Sequence, residues 1–135
     1  ASLRPSPTSF LSGWLANVRD LREQIESDSI RQEAVTTFDP FATMARVQTG
    51  TDPAAPSVQL TPAQMLNDAM YVNLLADIDE SRMLYRDYGE TVVAVTSYSD
   101  SVAVCGTATV TLRLSENVWK LLLMQLHDSE YPCIP

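Results

Sequence analysis

Histidine occurs once, lysine once, cysteine twice and glycine four times in this 135-residue chain, and each scarcity removes a class of function. Two cysteines are too few for a disulfide-built scaffold; one bridge between Cys105 and Cys133 remains geometrically open. Glycine stands only at Gly13, Gly50, Gly89 and Gly106. Dinucleotide and phosphate-loop fingerprints, the nucleophile elbow and calcium-loop motifs are therefore absent, as is the paired-histidine zinc motif. No run of about 18 apolar residues exists, so no membrane-spanning helix is expected. No cleavable signal pattern is read, and the sequence assigns no compartment. Basic clusters are missing too. The formal net charge is −8, spread along the chain, which argues against nucleic acid and anionic membranes as direct partners. Eight of the nine basic residues are arginine, which reads as compositional bias.

The one histidine falls in the terminal stretch LHDSEYPCIP, with Asp128, Glu130 and Cys133. A helical reading places His127 on the solvent side near a helix C-terminus, with no partner to orient it as a base. Cys133 lacks the helix N-terminus or basic neighbour that lowers a thiol pKa. Cys105, His127 and Cys133 lack the close ligand pairs of structural zinc. The stretch Asp77-Ile78-Asp79-Glu80 offers carboxylates, but on a helix residues two apart diverge. It reads as a solvated face with an Asp79–Arg82 pair. No catalytic, cofactor or metal-binding residue is assigned, and no small-molecule ligand is inferred.

What is present is apolar periodicity. Residues 1–8 hold two prolines and read as a flexible arm. Phe10, Leu11, Trp14, Leu15, Val18, Leu21 and Ile25 form one helical stripe, with Ser9 or Ser12 as cap. Ser29 and Gln32 have capping-box spacing for a short second helix to about Val35. Residues 36–60 are turn-rich, with ATMARVQ and SVQL as loosely held strands. Thr61-Pro62-Ala63-Gln64 combines a cap, a proline at the first helical position and a capping-box partner. A long helix is expected from there to a stop at Gly89, with room for a bend near Asp77–Ser81. TVVAVTSY and VAVCGTATVTLRL then predict a β-hairpin over about 91–114, with a bulge at Gly106. Ser115 is expected to cap a last helix, ENVWKLLLMQL.

The order predicts an α+β fold: one domain over 9–135, helices packed on a small antiparallel sheet built around the 91–114 hairpin. On the long helix a broad stripe suits the core. A second, narrow stripe of Met65, Ala69, Val72, Ala76 and Met83 steps like a heptad seam and is expected to meet another chain. The function expected from these features is non-catalytic: a protein–protein interaction or assembly protein, acting as a homodimer or as an accessory subunit of a larger particle such as a virion or secretion machinery. Its partners are then itself or another protein. The alternatives are a small enzyme with scattered site residues and a secreted effector with one disulfide.

Overall fold

The structure, a computed structural model, describes residues 4–47, 58–99 and 105–128. The α+β expectation holds. Four helices pack on a six-stranded mixed sheet. Helix α1 spans Pro7–Glu23 and α2 Asp28–Thr36; strands β1 (Phe38–Val47) and β2 (Val58–Leu60) follow. Helices α3 (Pro62–Leu66) and α4 (Ala69–Ala76) lead through a short 3-10 turn, Glu80–Arg82, into β3 (Leu84–Asp87). Strands β4 (Thr91–Ser99), β5 (Cys105–Ser115) and β6 (Val118–Asp128) follow. The sheet order is β2-β1-β6-β5-β4-β3, with β1 and β6 parallel and every other pair antiparallel.

Segments 43–47 and 58–60 do add strands, and the β4–β5 hairpin lies where its alternation placed it. Several local expectations fail. The caps of α1 and α2 are Ser6 and Ser27, not the serines further on. Within the segment expected as an arm, Pro7 already opens α1. Arg4 bonds to Asp87 and to the Gly89 carbonyl and lies 5.4 Å from the Trp119 ring centroid, while Trp119 Nε1 donates to the Pro5 carbonyl at 2.7 Å. The capping box of Thr61 and Gln64 forms, but it opens a helix of only 5 residues. Asn67 Nδ2 closes that helix on the Ala63 carbonyl, and the Asp68 side chain caps the next by accepting from Met70 N–H. Residues 84–87, expected as the end of a long helix, are strand. Gly89, with φ of +90°, sits in the β3–β4 turn instead of ending a helix.

The largest departure is β6. Residues 118–128 form a strand, hairpinned to β5 through Glu116 and Asn117, whose φ values are +54° and +61°. Positive φ at both central residues is the signature of the turn whose twist suits a two-residue hairpin. A bulge hid the strand. Thr111 faces Leu123 and Leu112 faces Leu121, so Leu122 is an extra residue. Trp119 and Leu121 before it, and Met124 and Leu126 after it, are all buried. That one-residue slip breaks the period of two and imitates a helical stripe.

All four helices cover one face of the sheet. Met44, Ala94, Val110, Leu112, Met124 and Leu126 are buried beneath them. Trp14 anchors α1 in this layer, its Nε1 donating to the Ala34 carbonyl at 3.1 Å and its ring edge-on to Phe38.

Candidate functional site

Two features rise above packing: a buried polar cluster under the helices, and the sheet face that, among the described residues, no helix covers. The cluster follows from strand alternation. Met44 and Arg46 of β1 point to the helix side, and so do Met124, Leu126 and Asp128 of β6. Gly106 of β5 faces Asp128 on one side and Tyr98 of β4 on the other. A Cβ at Gly106 would lie 2.2 Å from the His127 carbonyl oxygen and 2.6 Å from the Tyr98 hydroxyl. The missing side chain lets the Tyr98 ring cross β5 and donate its hydroxyl to Asp128 Oδ1 at 2.5 Å. Gly106 is thus a crossing point, not the bulge its composition suggested.

Arg46, only 3% exposed, donates Nη2 and Nε to Asp128 Oδ2 at 2.9 and 3.2 Å. Its guanidinium lies 5.5 Å from the Tyr71 ring centroid on α4, and Nη1 reaches Met70 Sδ at 3.6 Å. Burial alone would lower the Arg46 pKa, but hydrogen bonds to Asp128 and Tyr71 outweigh it and the net shift is upward. Burial first, then the Asp128 carboxylate, pushes the Tyr98 phenol well above its ordinary range. An isolated backbone bridge pairs Ile78 with Tyr98 and ties the segment after α4 to β4. Both Asp128 oxygens therefore receive donors from the chain itself, which is how a buried charge is made tolerable. The cluster joins β1, β4, β6 and α4.

The residues expected from sequence lie elsewhere. Met65, Val72 and Ala76 are 0%, 0% and 4% exposed, buried within this chain, while Met83 is half-buried against the core and Ala69 is exposed. They form no continuous seam, because α3 and α4 are separate helices and Met83 lies in extended backbone. His127 projects from β6 opposite Thr107, exposed on the uncovered face rather than at a helix end. Cys105 is disulfide-bonded; Cys133 lies outside the described residues. Asp77 pairs with Arg22 at 2.9 Å, and Glu80 with Arg19 at 2.6 Å and the Ser12 hydroxyl at 3.1 Å. Asp79 caps the 3-10 turn through Ser81 and pairs with Arg82 at 3.6 Å. Sequence reasoning missed Arg46, Tyr71, Tyr98 and Asp128. The readable signal was an arginine two residues after Met44, on the apolar face of an alternating run.

The uncovered face carries the other residues of each strand. One row runs Leu84, Val95, Thr109, Gln125, Ala45, Gln59 across all six strands. Its neighbour runs Arg86, Val93, Thr111, Leu123, Thr43. Next to that, Thr91, Arg113 and Lys120 form a short row at one end; Ser97, Thr107 and His127 form one at the other. Leu84 is 73% exposed and Val95 37%. These rows contain no carboxylate, although the chain has 17 acidic residues.

No protein-family model and no curated protein sequence matches the chain. Solved structures do match in fold. One is an NTF2-like protein with a cystatin-like fold from Novosphingobium aromaticivorans, at TM-score 0.55 and 11% identity, covering 86% of this chain and 77% of that one. A protein of unknown function with a cystatin-like fold from Nostoc punctiforme gives TM-score 0.56 and 8% identity over 94% and 96% of the two chains. The complex of yeast deubiquitinase Ubp3 with its cofactor Bre5 gives 0.56 and 11% over 91% and 93%. At these identities the likeness is one of fold, an α+β architecture of helices on a mixed sheet.

Proposed function

We propose that this chain is a non-catalytic interaction or assembly protein, an accessory subunit or a homodimer, whose contact surface is the uncovered sheet face. The observation that carries the reading is the composition of that face. A six-stranded face lined by Leu84, Val93, Val95, Leu123 and a threonine ladder, with no carboxylate in its paired rows in a chain of net charge −8, is what an interface needs and what a solvated surface does not. The polar cluster supports the same reading, since Asp128 is committed to Arg46 and Tyr98. The Ubp3–Bre5 match is a complex of two proteins, so this fold is compatible with a binding role.

Hydroxyl-radical footprinting tests the proposal, on the chain alone at rising concentration and then with partner recovered from its native source. Leu84, Val95 and Leu123 are expected to lose reactivity together on association. Protection confined to the helix layer, around exposed Ala16 and Glu23, would overturn it.

A further inference from the structure

The uncovered face does not complement itself. Of the nine basic residues, Arg4, Arg19, Arg22, Arg31, Arg46 and Arg82 pair with carboxylates of this chain, and Lys120 donates to the Thr36 carbonyl at 3.1 Å. Arg86 and Arg113 are the remaining two. Among the described residues neither forms an ion pair, and both project from the uncovered face, Arg86 opposite Val93 and Arg113 between Thr91 and Lys120. The nearest carboxylate in sequence to Arg86 is Asp87, and Arg4 occupies it. Glu90 and Glu116 stand at the turns beyond this end of the sheet and pair with neither arginine. The end of the face is therefore basic in a strongly acidic molecule.

A two-fold contact puts the same surface on both partners. A second copy seated face to face would bring cations and threonines from its paired rows and no carboxylate from them, its nearest acids, Glu90 and Glu116, standing at the turns. We propose that the occupant is instead an acidic segment of another protein. Its carboxylates are held by Arg86 and Arg113, with Lys120 beside them, and its apolar side chains lie on Val93, Val95 and Leu84. Arginine suits this task because its planar fork takes a carboxylate with two parallel bonds. Arg86 and Arg113 stand two strands and two residues apart, roughly 12 Å at ordinary sheet spacings, which about four residues of extended chain span. The recognition element is thus two acidic residues about four apart in an extended, otherwise apolar or threonine-rich segment. This rests on the reading of the face as a contact surface and selects the accessory-subunit form of it over the homodimer.

The test is an array of synthetic peptides in a valine–threonine background, each with two glutamates at a different spacing, probed with the full chain at low salt. Binding is expected to peak near a spacing of four and to fall at least tenfold in the Arg86→Gln, Arg113→Gln variant. It should be unchanged in Arg82→Gln, whose side chain is 80% exposed and belongs to the 3-10 turn. Three results overturn the proposal: no binding at any spacing, equal loss in Arg82→Gln, or stronger capture of a single-stranded oligonucleotide than of any peptide. Sedimentation of the same variants and of Val95→Glu separates the two levels. If the unmodified chain is a dimer that Val95→Glu dissociates and the double arginine variant does not, the face serves a second copy: the contact-surface reading survives and the acidic partner does not.

Discussion

Arginine carries much of the polar structure in this chain, and its excess over lysine has a mechanical use that composition did not disclose. Arg19 donates Nε to the Ala76 carbonyl at 3.0 Å and Nη2 to the Ile78 carbonyl at 3.1 Å, closing the end of α4 from α1. Arg31 does the same for α3 through the Leu66 carbonyl at 2.9 Å. Arg46 and Asp128, with side chains 4% and 14% exposed, are the pair whose loss should be felt most. Arg46→Ala leaves a largely buried carboxylate without its cation, and a loss of about 3–5 kcal/mol in urea unfolding is expected. Arg46→Met with Asp128→Leu should recover most of that, because the second change removes the orphaned charge. An additive double variant would show that the pair contributes nothing as a pair. Tyr98 gives a pH signature. Its phenol is held protonated in the fold, so the native state keeps a proton that the unfolded chain releases near pH 10. Stability is therefore full below about pH 10 and should fall above it by roughly 1.4 kcal/mol per pH unit. In alkaline titration one tyrosinate signal should appear only as the chain unfolds, and Tyr98→Phe should remove it.

At the scale of elements, legibility followed local continuity. The β4–β5 hairpin could be read because its alternation runs unbroken, and the Thr61–Gln64 cap because its chemistry is confined to four residues. The long helix over 61–88 could not be corrected from sequence. Its apolar stripes are real, but Leu66, Val72, Leu75 and Ile78 serve a core made by two short helices and a bridge to β4, a packing that local propensity does not encode. Strand β6 was hidden by its bulge at Leu122, and its turn by an unusual residue: glutamate at positive φ is costly, where asparagine or glycine is not. Replacing Glu116-Asn117 with Asn-Gly should therefore raise stability by about 0.5–1 kcal/mol and leave circular dichroism unchanged. Destabilisation by that pair would mean that the Glu116 side chain, not the turn backbone, holds the β5–β6 end together. The polar cluster was the least legible feature. Arg46, Tyr98 and Asp128 are distant in sequence; pairing of β1 with β6 brings Arg46 to Asp128, and Tyr98 reaches it because Gly106 leaves room on β5.

For the whole molecule the decisive asymmetry is between its two faces. The helix layer takes the core; the opposite sheet face keeps apolar and threonine side chains and the two arginines that form no ion pair among the described residues. The expected narrow seam of Met65, Val72 and Ala76 lies inside the chain, so if this protein associates, another surface must do it. The most direct measurement is a comparison of two exposed-site variants, Val95→Glu on the sheet and Ala16→Glu on α1, in sedimentation and in capture of partner from the native source. Circular dichroism and a cooperative melt confirm that both remain folded. Val95→Glu is expected to abolish association while Ala16→Glu leaves it intact. The contrary result, association kept by Val95→Glu and lost in Ala16→Glu, would place the interface on the helices and contradict the reading of the sheet face.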